Sequence, residues 1–433
     1  MKTEPTKPGH GVHRTDADRS VRPSLRLAAW LLGLLCLGLL AAVWFSRRPP
    51  EQSAQDTAPA PSQGAVLTPS TTPQRAPPAN RPAAGQPTRP QTLFAEPDPA
   101  MRQFVNSLVS LQPVGGLLPE EQAAAWRTNL QQLVEQGATG VPAIREFLLQ
   151  NTDFDFGPDG QQILGYPTAR TAMFDALAQI GGPLAVAALT EVLQTTADPR
   201  EIALLGQSLE KLDPGLHQQQ AVDAARQSLA MATEGNLPGR DVAPLFEVLQ
   251  KYGGSSAVPD LEQGARQWNY YATIALAQLP DGAGIPSLVQ MADGENAGAR
   301  TAAFQMLAQA ASQSPDARAA LLDRARQGRI SEYDWAALDP LLAGNQMVCR
   351  NPILGSAPSA ADPSEVRSVN IPASNQHLST IPLTPLTADQ LNQLKTFVDD
   401  LLQVTSDPKA VKILQGAKNK LNLRSIVASA PGA

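Results

Sequence analysis

The 433-residue chain has very few of the side chains that most often hold metals or form disulfides. It contains two cysteines, Cys36 and Cys349, and four histidines. Because Cys36 lies in an apolar N-terminal run, the two thiols are not expected to pair. A zinc site needs several imidazole or thiolate ligands at fixed spacing, whereas His217 and His377 are far apart in the sequence. The sequence therefore predicts no disulfide and no cofactor.

Catalytic motifs are missing as well. The chain has no HExxH helix, no paired CxxC and no GxSxG nucleophile elbow. The segment Gly282-Ala283-Gly284 follows a predicted helix rather than a strand, so it does not match a dinucleotide-binding loop. We therefore expect neither an enzyme nor a small-molecule substrate.

Basic residues are denser at the N-terminus than in the rest of the chain. Residues 1–48 hold eight Lys and Arg against three Asp and Glu, a net charge of +5, while the formal total is −6. The remaining 385 residues therefore carry a net charge of −11. An acidic exterior is a poor surface for a phosphate backbone, so no nucleic-acid partner is expected.

One long uncharged run stands out at 27–45. Its nineteen residues are enough to span the hydrocarbon core of a bilayer. Four arginines precede the run closely and two follow it, which favours a cytoplasmic N-terminus. The sequence predicts a cytoplasmic tail at 1–24 and a single-pass anchor at 25–46 in the inner (cytoplasmic) membrane. The rest of the chain would then lie outside, in the periplasm of a bacterial cell.

Residues 47–98 have the composition of a disordered linker. From Pro49 to Ala100 the chain holds 13 of its 39 prolines, with Ala, Gln, Thr and Ser between them. Such a segment buries too little apolar surface to fold by itself. We expect it to tether the following domain to the membrane.

A short phrase recurs after the linker. Val141-Pro142 returns as Val258-Pro259 and as Ile285-Pro286, each time after a glycine-containing turn. Proline is well tolerated in the first turn of a helix, because the amide that it lacks has no intrahelical partner there. The repeated unit is therefore a helix, a turn and a second helix, and residues 99–345 are predicted to be an α-solenoid.

One unit resembles a known repeat family. Residues 168–193, TARTAMFDALAQIGGPLAVAALTEVL, have apolar positions at steps of three and four that predict a helix over 169–180. With Leu177 before the turn and Leu189 after it, this segment resembles a short bacterial HEAT repeat, of the armadillo-like class. Weaker copies lie at 121–149, 200–231, 241–265, 269–292 and 300–326. The resemblance implies an all-α solenoid of about six helix pairs.

A polar side chain recurs on the second helix of several repeats, two positions after the main core-facing apolar residue of that helix. These positions, called the polar ladder below, are Glu146, Glu191, Gln263, Gln290 and Asp323. Two residues correspond to about 200° around a helix, so the ladder should point away from the core. A solvated helix face explains this pattern simply. The HEAT resemblance implies an alternative, in which second helices line a groove and the ladder contacts a protein partner.

An acidic loop precedes the best repeat. Asp153, Asp155 and Asp159 alternate around glycines, as carboxylates do in calcium loops, and they are the weak candidates for a metal site. Leu164 stands where an EF-hand needs its bidentate glutamate. An ordinary loop between repeats is the simpler interpretation.

The C-terminal part divides into a loop and a helical hairpin. Residues 346–385 are predicted to be a Pro- and Ser-rich loop, since 351–385 hold six prolines. Thr387 and Gln390 form a capping box ahead of an apolar stripe, and a Lys-rich second helix follows. The hairpin at 386–424 either covers the apolar end of the last repeat, which solenoids require, or docks another protein.

These features predict a membrane-tethered HEAT-repeat scaffold or adaptor for protein–protein interaction in the bacterial envelope. Its protein partner would be held by the polar ladder. The alternative is an enzyme, or a regulatory subunit of an envelope enzyme complex, with its site in the acidic loop at 153–160.

Overall fold

The computed structural model describes residues 94–110, 118–349, 353–354, 367–368, 378–382 and 386–428. The predicted tail at 1–24, the anchor at 25–46 and most of the linker at 47–98 lie outside these residues. No helix among the described residues is long and apolar enough to span a bilayer. The described part of the chain is thus the predicted solenoid and much of the C-terminal region.

Most of the described residues are helical, and short turns join one helix to the next. The helices up to the end of the predicted solenoid are α1 (Pro99–Val109), α2 (Glu120–Glu135), α3 (Val141–Leu149), α4 (Gly157–Leu164), α5 (Ala169–Ile180), α6 (Gly182–Thr195), α7 (Pro199–Leu212), α8 (Gln218–Thr233), α9 (Ala243–Val248), α10 (Val258–Gly264), α11 (Asn269–Ala277), α12 (Ile285–Ala292), α13 (Ala297–Ala310), α14 (Pro315–Arg326) and α15 (Glu332–Leu342). A π-helical turn, Leu249–Gly253, continues α9.

The helices stack in two rows. Row A consists of α2, α5, α7, α9, α11, α13 and α15, and each of these helices packs against the next. Row B consists of α1, α3, α6, α8, α10, α12 and α14. Successive helices of this row pack against each other from α1 to α8, and α12 packs against α14. Stacked helix pairs of this kind make an α-solenoid. The prediction of a mainly helical solenoid is therefore confirmed.

Local sequence explains where α5 begins and ends. Thr168 and Thr171 form a capping box at its start. Gly181 ends the helix at φ 64°, a left-handed conformation that side chains other than glycine rarely adopt. The helix predicted over 169–180 therefore agrees with α5. The recurring prolines also stand where expected, in the first turns of α3, α10 and α12.

The core lies between the two rows. The leucines on either side of the turn in the best repeat, Leu177 and Leu189, are fully buried. Trp268 and Tyr271 at the start of α11 are also buried and pack near the ring of Phe246. Each unit therefore buries its apolar stripe against its neighbours, which is the source of stability in a solenoid.

A small antiparallel sheet follows α15. Its strands are β1 (Asn345–Cys349), β2 (Arg367–Ser368) and β3 (Leu378–Pro382), in the order β1-β3-β2. The prediction of a plain loop over 346–385 missed these strands, because they are short and pair with segments distant in sequence. The amide side chain of Gln309 in α13 bonds both the N–H and the C=O of Met347, which attaches the edge strand β1 to row A.

The C-terminal hairpin consists of α16 (Ala388–Val404) and α17 (Pro408–Ala428). Thr387 and Gln390 make the capping box that the sequence predicts. Helix α16 packs against α14, and α17 packs against α15. An ion pair of 2.6 Å joins Arg318 of α14 to Asp400 of α16. The hairpin therefore covers the last helix of each row.

Candidate functional site

Two carboxylates of the acidic loop bond backbone N–H groups at the starts of helices. Asp153 accepts the backbone N–H of Arg170 in α5 at 3.1 Å, and Asp155 accepts that of Gly157 in α4 at 2.8 Å. Burial raises the pKa of the Asp153 carboxyl. The side chain of Asp159 lies outside the described part of the structure, and the described residues contain no cluster of three potential metal ligands. Asp153 and Asp155 thus satisfy backbone N–H groups in the first turns of α5 and α4, while Thr168 is the N-cap of α5.

Two members of the polar ladder are paired with arginines of the preceding row-B helix. Glu146 of α3 pairs with Arg102 of α1 at 2.8 Å, and Glu191 of α6 pairs with Arg145 of α3 at 2.5 Å. Both pairs are bidentate. Their four side chains are only 27–37% exposed. Glu146 and Glu191 therefore connect successive helices, a role that the sequence pattern did not reveal.

The other three members of the ladder are exposed. Gln263 lies on α10, Gln290 on α12 and Asp323 on α14. Asp323 is 3.7 Å from Arg326 and accepts a hydrogen bond from Gln327 at 2.7 Å. Row B consequently presents two amides and one partly neutralised carboxylate at these positions, and it is less acidic than the net charge of the chain suggests.

A cleft of about 110 Å³ opens in row B between α8 and α10. Its lining residues are Arg226, Leu229, Ala230, Thr233, Asp260, Gln263 and Gly264. Helix α10 has seven residues and α8 has sixteen, so at 1.5 Å per residue the shorter helix cannot cover the longer one. Arg226 and Asp260 are joined across the two helices at 2.9 Å. The structure thus brings one ladder residue, Gln263, into a cleft.

A buried ion pair connects α5 to α7. Arg170 donates to both carboxylate oxygens of Glu201, at 2.5 and 2.9 Å, and to the carbonyl oxygen of Leu148 at 2.6 Å. Thr196 adds a further donor to Glu201 at 2.6 Å. Since Arg170 is 3% exposed, this network joins repeat units and is not accessible to a ligand.

Three row-A residues hold the segment Ile353–Leu354. Glu247 of α9 accepts the backbone N–H groups of Ile353 and Leu354 at 2.8 and 2.9 Å. Lys251 donates to the carbonyl oxygen of Leu354 at 2.7 Å, and Gln207 of α7 donates to that of Ile353 at 2.9 Å. Gln207, Glu247 and Lys251 are called the clamp below.

The sequence analysis missed the clamp. Its residues and the segment that they hold are separated by 103 to 146 positions in the chain. The only local sign of the clamp in the sequence is the oppositely charged pair Glu247 and Lys251, one helical turn apart. A pair with that spacing normally indicates a solvated helix surface, so the sequence pattern alone favoured the wrong role.

No protein-family model matches the chain, and no curated protein matches it significantly. The HEAT resemblance therefore rests on the repeat sequences alone.

Proposed function

We propose that this chain is a scaffold of HEAT-like repeats, tethered to the membrane of a bacterial envelope, that binds another protein along row B. The proposed tether is the apolar run at 27–45 together with the linker that follows it. Support for the scaffold role comes from the two rows of helices, since solenoids present successive helices as an extended binding surface.

The cleft between α8 and α10 carries the proposal. It combines the apolar Leu229 with the amide of Gln263 and the joined Arg226 and Asp260. Apolar pockets bordered by polar groups are the usual anchor points of protein interfaces. At about 110 Å³ the cleft is smaller than the roughly 300–1,000 Å³ of small-molecule sites. It therefore suits a single side chain of a protein partner better than a metabolite.

The charge of row B bears on the chemistry of that partner. The net charge of −11 beyond residue 48 favours a basic segment. Glu146 and Glu191 are already neutralised by arginines, and Asp323 stands beside Arg326. We propose a partner segment that is anchored by one side chain in the cleft and by hydrogen bonds to Gln263 and Gln290, with charge in a minor role.

Site-specific photocrosslinking in intact cells tests the scaffold role. A photoreactive side chain at Gln263 or Gln290 should yield the same crosslinked partner, because both positions face outward from row B. The same side chain at Ala124, an exposed residue of the row-A helix α2, should not yield it.

A variant that fills the cleft provides the matched test. Ala230→Trp, at an exposed position of α8 that lines the cleft, should lower the crosslinking yield at least about tenfold, since hot-spot contacts dominate such interfaces. Ala124→Trp should leave the yield unchanged. A folded Ala230→Trp protein with wild-type yield would contradict the proposed role of the cleft.

A further inference from the structure

The clamp binds the main chain of its segment completely. Both N–H groups and both carbonyl oxygens of Ile353–Leu354 are hydrogen-bonded by Gln207, Glu247 and Lys251. A single carboxylate oxygen, Oε2 of Glu247, accepts both N–H groups. These hydrogen bonds hold a bent main-chain segment and add to the affinity that its side chains provide.

The side chains of the segment add a simple apolar requirement. Leu354 is 8% exposed and belongs to the hydrophobic core, and Ile353 packs against that core while remaining partly exposed. Two adjacent aliphatic side chains therefore contribute burial, and the clamp contributes hydrogen bonds. Together they define a ligand class, namely a bent peptide with an aliphatic pair.

Two further observations set this part of row A apart from an ordinary helix contact. The Oε1 atom of Glu247 is buried and has no hydrogen-bond partner among the described residues, and burial raises the pKa of this carboxyl. Leaving a buried carboxylate oxygen unpaired costs stability. Lys251 also lies on the π-helical turn Leu249–Gly253, a feature that is frequent at functional sites.

We propose that the clamp is a peptide-binding site that the chain fills with its own Ile353–Leu354, and that an aliphatic pair from a second protein occupies it when this segment leaves. The segment follows β1 after three residues, so its effective concentration at the clamp is on the order of millimolar or higher. It therefore acts as a built-in competitor. The proposal concerns row A and does not depend on the role proposed for row B.

Direct peptide binding tests this proposal. The probe is a fluorescent peptide with the sequence of residues 350–357, RNPILGSA. The full-length double variant Ile353→Ser, Leu354→Ser should bind it saturably, whereas the wild-type protein should bind it at least about tenfold more weakly because its own segment competes. Adding Glu247→Ala to the double variant should weaken binding at least about tenfold. Adding Glu295→Ala, at an exposed residue outside the clamp, should have no effect.

A modified peptide separates main-chain recognition from nonspecific apolar binding. N-methylation at the position of Leu354 removes one N–H donor to Glu247, so it should weaken binding to the double variant about tenfold or more. Equal affinities for the methylated and unmethylated peptides would refute recognition by the clamp.

Hydrogen exchange of the wild-type protein tests displacement without any substitution. Excess isotope-labelled peptide should accelerate amide exchange at Ile353 and Leu354 of the intact chain, because their N–H groups leave Glu247. Unchanged exchange at high peptide concentration, or a folded double variant that binds no peptide, would show that the segment is a permanent part of the fold and would overturn the proposal.

Discussion

Helices α5 and α13 have similar sequences and equivalent places in row A, yet different side chains join them to the next helix. The segments ARTAMFDALAQI at 169–180 and ARTAAFQMLAQA at 299–310 share eight of twelve residues. In α5, the buried Arg170 forms a bidentate pair with Glu201. In α13, the side chain of Arg300 is 32% exposed and stays 3.6 Å from Asp334. A shared helical sequence therefore does not determine which contact links the repeats.

The threonines that follow these arginines explain the difference. Thr171 is part of the capping box of α5. Relative to the shared sequence, helix α13 begins earlier than α5 and is capped by Asn296. Thr301 therefore takes no part in capping. Thr301 is buried and donates to Asp334 at 2.5 Å, and Ser331 donates to the same carboxylate at 2.6 Å. The hydroxyl groups of Thr301 and Ser331 thus supply hydrogen bonds to the buried Asp334 carboxylate. The side chain of Arg300 stays partly exposed.

The largest difference is expected between the two arginines. Arg170→Ala should lower the free energy of unfolding by about 3–5 kcal/mol, because it leaves Glu201 buried without its partner. Arg300→Ala should cost about 0–1 kcal/mol, as a partly exposed ion pair does. Chemical denaturation of the purified proteins measures both. Equal losses for the two variants would contradict the comparison.

The two core leucines should behave alike. Leu177→Ala in α5 and Leu307→Ala in α13 each leave a cavity at a fully buried position, so each should cost about 2–5 kcal/mol. Thermal and chemical denaturation provide the measurement. A much smaller loss for one of them would show that the two helices are not equivalent in their packing.

The smallest effect is expected at the threonines. Thr301→Val removes a donor from the buried Asp334 and should cost about 1–3 kcal/mol. Thr171→Val removes part of a capping box at a partly exposed position, and we expect a loss of about 1 kcal/mol or less. Melting temperatures of the two variants rank them, and the reverse order would disprove the roles assigned here.

Short-range features of this protein were predictable. The limits of α5, the capping box at Thr387 and Gln390, and the prolines at the starts of second helices all depend on residues within one turn of each other. The burial of Leu177 and Leu189 followed from helical periodicity. The candidate site was predicted less well, since Glu146 and Glu191 are bound to arginines on neighbouring helices.

Local sequence was sufficient to predict the helix at 169–180, the capping box at Thr387 and Gln390, and the buried stripe that contains Leu177, because propensity, capping and periodicity act over a few residues. Contacts between distant segments decide that Arg170 is buried while Arg300 is partly exposed, that a cleft opens beside Gln263, and that the clamp holds Ile353–Leu354. Each of these depends on groups brought together from separate helices. Their partners are set by packing geometry, which a local sequence pattern does not contain.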